Sequence, residues 1–109
     1  MDNVSTEVML KALDGLTARA ELTASNIANA NTPSYRARHL SFEKSLAAAA
    51  DEGAGAVRAV QPAMSQDQHD MRLDLELSTA SSTSLRYAAL IDILSRQLDL
   101  EALAIKGVN

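Results

Sequence analysis

Cysteine is absent from this chain of 109 residues, and so is tryptophan. Without cysteine there is no disulfide framework, zinc-thiolate site or thiol nucleophile. Aromatic residues are scarce, with one Phe and two Tyr. Aromatics supply large buried areas, so the core must come from Leu, Ile, Val, Met and Ala, which are plentiful here. Basic residues do not dominate either, and the net charge is -4. That argues against a nucleic-acid partner, whose ligands present a basic surface. The run from Tyr35 to His39 is a basic spot, but a short and unaccompanied one. No stretch reaches the roughly 18 apolar residues of a membrane span. The first residues, Met1 to Glu7, show no basic segment leading into an apolar run, so no cleaved secretory signal is expected.

What is present is helix-forming sequence at both ends. Residues 4–30 read as one amphipathic helix. Met9, Leu13, Leu16, Ala20, Thr23, Ile27 and Ala30 recur at spacings of four and three, a heptad seam. Asn3 or Ser5 is the expected N-cap. Gly15 costs about 1 kcal/mol relative to Ala inside a helix. Ser25, Asn26, Asn29 and Asn31 weaken the last turns by competing for backbone hydrogen bonds. Pro33 enforces the stop, and residues 32–35 read as a β-turn with proline second.

Residues 36–72 read as an irregular middle segment. Phe42 and Leu46 lie one helical turn apart within 41–50, residues 51–56 form a Gly-containing break, and Pro62 limits any strand over 57–64. Residues 71–77 fit two patterns. Met71, Leu73, Leu75 and Leu77 alternate as in a strand, yet Leu73 and Leu77 also sit four apart. The Ser/Thr-rich stretch 78–84 is poor helix material. From Leu85 to Lys106 the helical signal is strong and doubled. Tyr87, Ile91, Leu94, Leu98 and Ile105 make one stripe; Leu90, Ile93, Leu100, Leu103 and Ala104 make another. One partner helix covers one stripe, and a large exposed apolar face marks an interface. The composition and pattern therefore imply an all-α chain. Its terminal helices, over 4–30 and 85–106, pair with each other. They also assemble with other chains.

The segment from Ala24 to Tyr35, Ala-Ser-Asn-Ile-Ala-Asn-Ala-Asn-Thr-Pro-Ser-Tyr, closely resembles the N-terminal signature of the flagellar axial proteins of rod, hook and hook–filament junction. The continuation Arg36 to Glu43 and the ending Ser84 to Gly107 look like the short proximal-rod members of that family. The resemblance covers about half the chain. It implies a structural subunit of the flagellar basal body, exported by the flagellar type III apparatus without a cleaved signal. Its terminal helices would build a helical tube in the periplasmic rod. The implied partners are copies of itself, other rod proteins, the adaptor FliE and the export gate. Two positions depart from the family pattern. Ser34 stands where Gly is usual, which favours a type I or mildly strained turn. The approach to the C-terminal helix lacks the usual Gly, and similarity places that helix's start near Leu73. The resemblance thus implies that residues 1–35, with the turn, and 73–109 pack as an antiparallel coiled-coil pair and form one core domain.

The assembly residues expected on these grounds are Asn26, Ile27, Asn29, Asn31, Pro33, Tyr35, Tyr87, Ile91, Leu94, Leu98 and Ile105. For the three asparagines, contact with a neighbouring subunit and local capping stand about even. His39 and His69 lie thirty residues apart with no Cys or second His at ligand spacing, and read as solvent-exposed or loop histidines. Asp74 and Glu76 read as a pair on one solvent face. Gly53 and Gly55 lack the Lys-Ser/Thr of a phosphate loop. No catalytic residue, metal, cofactor or small-molecule substrate is assigned. The other reading is a soluble helical adaptor that binds a partner through a coiled coil.

Overall fold

The structure, a computed structural model, describes residues 2–107. The chain is mostly helical, and its two long helices are terminal. α1 spans Asn3–Ala28. Its N-cap is Asp2, not Asn3 or Ser5: the Asp2 carboxylate accepts the Ser5 N–H at 2.6 Å. That bond holds the carboxyl below its usual pKa. The helix ends at Asn29, whose N–H returns to carbonyls of the last turn.

The middle segment is not irregular. It holds strand β1 (Arg38–Ser41), helices α2 (Glu43–Ala50) and α3 (Ala54–Arg58), and strand β2 (Ala63–Gln66). β1 and β2 pair antiparallel, with Arg38 opposite Gln66 and Ser41 opposite Ala63. The Asp67 N–H, bound to the Ala37 carbonyl at 2.9 Å, continues the ladder by one step. Such pairing was invisible locally because the strands are four residues long and separated by both short helices. Gly53 opens α3 with φ +108, a conformation that glycine adopts freely.

α4 runs from Leu73–Lys106 as 34 residues without a break. The helical spacing of Leu73 and Leu77 prevails over the strand alternation. The Ser/Thr stretch stays helical because Thr83 is buried among α1 side chains, and packing outweighs weak propensity. At 1.5 Å per residue α4 is about 51 Å long and α1 about 39 Å, so α4 outruns its partner by roughly two turns. The molecule measures 65 × 26 × 13 Å.

The hydrophobic core lies between α1 and the middle segment. Leu16, Phe42, Leu46, Ala49 and Val57 form its buried centre, with Val4, Val8, Ala12 and Val60 packed around them. From α4 only Leu90 joins this cluster. The expected heptad seam is only partly buried: Leu16 and Thr23 are enclosed, whereas Ala20 is exposed. The seam shifts because α2 and α3 claim part of the α1 surface. Gly15 explains itself here. A Cβ on it would sit 2.6 Å from the Phe42 ring, so glycine lets the ring close onto the helix.

Arg19 locks this arrangement from the side. Its guanidinium donates to both carboxylate oxygens of Glu43, at 2.8 and 2.7 Å, and to the Leu40 carbonyl at 2.8 Å. It also lies over the Phe42 ring, 4.7 Å from the centroid. The paired guanidinium pulls the Glu43 carboxyl down from its ordinary 4.5 to about 2.

Two outcomes follow for stability, both measurable by urea denaturation. Gly15→Ala destabilises the fold by about 1–3 kcal/mol through overpacking against Phe42. Gly55→Ala, in α3 with open space around it, stabilises by about 0.5–1 kcal/mol. The Glu43 pair contributes stability that is complete above the unfolded value of 4.5 and is lost as pH falls toward 2. The stability gap between the parent chain and Glu43→Gln therefore narrows over that window and stays constant above it.

Candidate assembly interface and the polar hub beside it

The segment 24–35 folds around one buried side chain. Asn26 is wholly enclosed. Its Nδ2 donates to the Arg38 carbonyl at 2.8 Å and to Glu76 Oε2 at 3.0 Å. Its Oδ1 accepts from the Tyr35 hydroxyl at 2.8 Å and from the Arg38 N–H at 3.1 Å. A primary amide has two donors and two acceptor sites, so its capacity is filled. One residue thus ties α1 to the turn, to β1 and to the first turn of α4.

Around it the other signature residues build the turn. Asn29 Nδ2 donates back to the Ser25 carbonyl at 2.8 Å, and the Thr32 hydroxyl donates to Asn29 Oδ1 at 3.0 Å. The Tyr35 N–H closes the turn on the Thr32 carbonyl at 3.2 Å. Ser34 takes φ +63. It adopts the left-handed position that a type II turn requires at its third residue, so the type I alternative does not hold. Arg36 fastens the turn to the following loop by donating to the Gln68 carbonyl.

The expected assembly residues thus separate into groups. Asn26 is buried within the single chain, where it acts as an internal clamp. Asn29 caps locally. Asn31 and Pro33 are exposed at the turn, and Tyr35 is half-buried. Ile27 and Tyr87 are brought together across an open groove of about 480 Å³, which Leu16, Ala20, Ala24, Ala80 and Thr83 also line. Leu94 is half-buried, whereas Ile91, Leu98 and Ile105 are exposed.

Sequence reasoning missed Glu76. It sits 2% exposed at the α1–α4 contact, not on a solvent face. Its distance from Asn26 is fifty residues in the chain, so no local pattern pointed to the pair. Beside Leu16, the buried members of the seam between the two long helices are polar: Thr23 and Asn26 from α1, Glu76 and Thr83 from α4. Large aliphatic side chains of α4 face outward instead. Leu98, Leu100, Leu103 and Ile105 are 55–75% exposed. Both stripes of the distal helix are bare, not just one.

An exposed apolar surface of this kind is a candidate interaction surface. The signature segment gives it a context, because residues 9–36 match the family model described as "Flagella basal body rod protein". Over that segment the chain is similar to flagellar rod proteins. The match spans 28 of the 109 residues, and it contains the whole Asn26-to-Tyr35 turn. No curated protein matches the chain. The rod family is a structural one, and the match supports a structural role in the flagellar basal body. Among the described residues no helix is long and apolar enough to cross a membrane.

Removing the hub amide takes a hydrogen-bond partner from Glu76 Oε2, from the Tyr35 hydroxyl and from the Arg38 backbone pair. Asn26→Ala is expected to cost about 2–4 kcal/mol, given about 1–3 kcal/mol for a neutral unsatisfied group and more for a charged one. Tyr35→Phe, at a half-buried site, costs about 1 kcal/mol. Urea midpoints of the two variants check both the values and their order.

Proposed function

We propose that this chain is a structural subunit of the proximal flagellar rod, of the kind called FlgB. In this reading α1 and α4 form an antiparallel pair that acts as one building element. Copies of the element pack side by side into a helical tube in the periplasm. Export proceeds through the flagellar type III apparatus without a cleaved signal. Neighbouring rod proteins, the adaptor FliE and the export gate meet the assembled subunits.

The observation that carries this reading is the bare distal half of α4. From Leu98 to Ile105 the helix exposes four large aliphatic residues that the chain's own core never reaches. Burying a Leu or Ile side chain is worth about 1.5–3 kcal/mol. Several of them, covered by neighbouring copies, supply a driving force for polymerisation without altering the fold of the subunit. The contact between Asn26 and Glu76 places the end of α1 beside the start of α4, which supports the antiparallel pairing. The extension of α4 beyond α1 gives each subunit an overhang for the next one.

A genetic and biophysical pair of measurements tests this. Deletion of the gene abolishes motility and leaves basal bodies without a rod. Complementation with Leu98→Asp plus Ile105→Asp fails to restore swimming. The purified double variant nevertheless keeps its monomer stability within about 0.5 kcal/mol of the parent per substitution, as exposed positions do. A motile deletion strain, or full complementation by the double variant, contradicts the proposal.

A further inference from the structure

Beside the hub, four side chains from three parts of the chain converge. His39 comes from β1, Asp67 and His69 from the loop after β2, and Glu76 from the first turn of α4. His39 Nε2 lies 2.9 Å from Asp67 Oδ2 and 3.6 Å from Glu76 Oε1. His69 Nε2 lies 3.7 Å from the same Asp67 oxygen. One ligand atom each from His39, Asp67 and Glu76 falls within 4.8 Å of the others. We propose that these residues form a binding site for a divalent transition-metal ion of the zinc class, with His39, Asp67 and Glu76 as ligands and His69 closing the fourth position.

The spacing suits the ion. A tetrahedral site with bonds of about 2.0–2.2 Å has ligand-to-ligand edges of about 3.3–3.6 Å. The His39–Glu76 and His69–Asp67 separations lie at the upper end of that range or just beyond it, and the 2.9 Å contact of His39 with Asp67 is a hydrogen bond that an ion would replace, with release of its proton. The donor set is also selective. Two imidazoles with two carboxylates suit zinc and its neighbours, whereas magnesium and calcium prefer oxygen alone.

Charge and orientation point the same way. The Glu76 carboxylate is almost fully buried, and the neutral Asn26 amide donates to its Oε2. A second carboxylate, Asp67, faces the same imidazole. Arg72 lines the cavity, but its guanidinium is paired with Asp74 at 2.9 Å. A dication compensates both carboxylates at once. The supporting contacts are those of metal sites. Asn26 fixes the far oxygen of Glu76, leaving Oε1 for an ion. The His69 Nδ1 lies 2.8 Å from the Asp70 carbonyl, which favours the tautomer with its Nε2 lone pair free. Occupancy would bind the β1–β2 sheet to α4 at the hub. The site stands independently of the assembly reading.

The test uses the full-length chain without a histidine tag, stripped with chelator and titrated with zinc chloride by calorimetry. Cobalt(II) absorption serves as a second readout of four-coordinate geometry. One ion per chain is expected, with a raised thermal midpoint and no displacement by excess magnesium. His39→Ala weakens binding at least tenfold, and His69→Ala weakens it several-fold. Circular dichroism checks that both variants keep their helical content. Should His39→Ala lose it, His69→Ala on its exposed loop decides alone. Absence of saturable zinc uptake overturns the proposal, as does uptake that is unchanged in the folded variants.

Discussion

The arrangement depends on a buried amide that spends all of its hydrogen-bonding capacity inside the chain. Asn26 reaches the turn through Tyr35, β1 through both backbone groups of Arg38, and α4 through Glu76. An unpaired polar group in that position is costly, so the partners specify one another's placement. Leucines there would hold the helices together but would leave their register free. An amide with fixed donors and acceptors accepts one register. The turn after α1, the sheet and the origin of α4 are consequently set by a single position.

This division of labour frees the aliphatic surface for another use. Folding consumes the apolar residues of α1, α2 and α3, around Phe42, with Leu90 as the contribution of α4. The proximal half of α4 is held by Glu76 and Thr83, which are polar and buried. The distal half carries Leu98, Leu100, Leu103 and Ile105, which are aliphatic and exposed. Residues that fold the subunit and residues available to join it to others are thus separate along one helix. An assembling subunit gains from that separation, because its surface can remain adhesive without unsettling its core. Arg19 reinforces the same boundary, gripping Glu43 and covering Phe42 so that the core closes on its α1 side.

Much of this was legible from residue pattern alone. The N-terminal helix, the C-terminal helix from Leu85 on, the stop before Pro33, and the excess of apolar surface on the C-terminal helix follow from spacing and from proline's restriction on its neighbour, whereas the start of α4 near Leu73 came from the resemblance. The rod-family signature was legible as well, since twelve consecutive residues carry it. Long-range relations were not. β1 and β2 are too short for alternation to register, and their pairing spans two helices. Gly15 reads as a helix defect until Phe42 is placed against it. Glu76 reads as a solvated carboxylate because its partner is fifty residues away. His39 and His69 read as isolated because the loop that joins them to Asp67 is positioned by the sheet, not by their spacing. Ser34 is a smaller case: the residue type left a type I turn and a mildly strained one open, and the positive φ selects the strained one.

The absence of cysteine makes the central claim directly measurable, because every introduced thiol is unique. Single substitutions Leu98→Cys and Leu103→Cys on the distal helix, with Thr83→Cys in the inner seam, are crosslinked with a short bifunctional reagent in isolated basal bodies. The account predicts that the two distal positions join to neighbouring subunits, while position 83 yields no intersubunit product. Efficient intersubunit crosslinks at position 83 with none at 98 or 103 would contradict it, since the seam and the assembly face would then have exchanged roles.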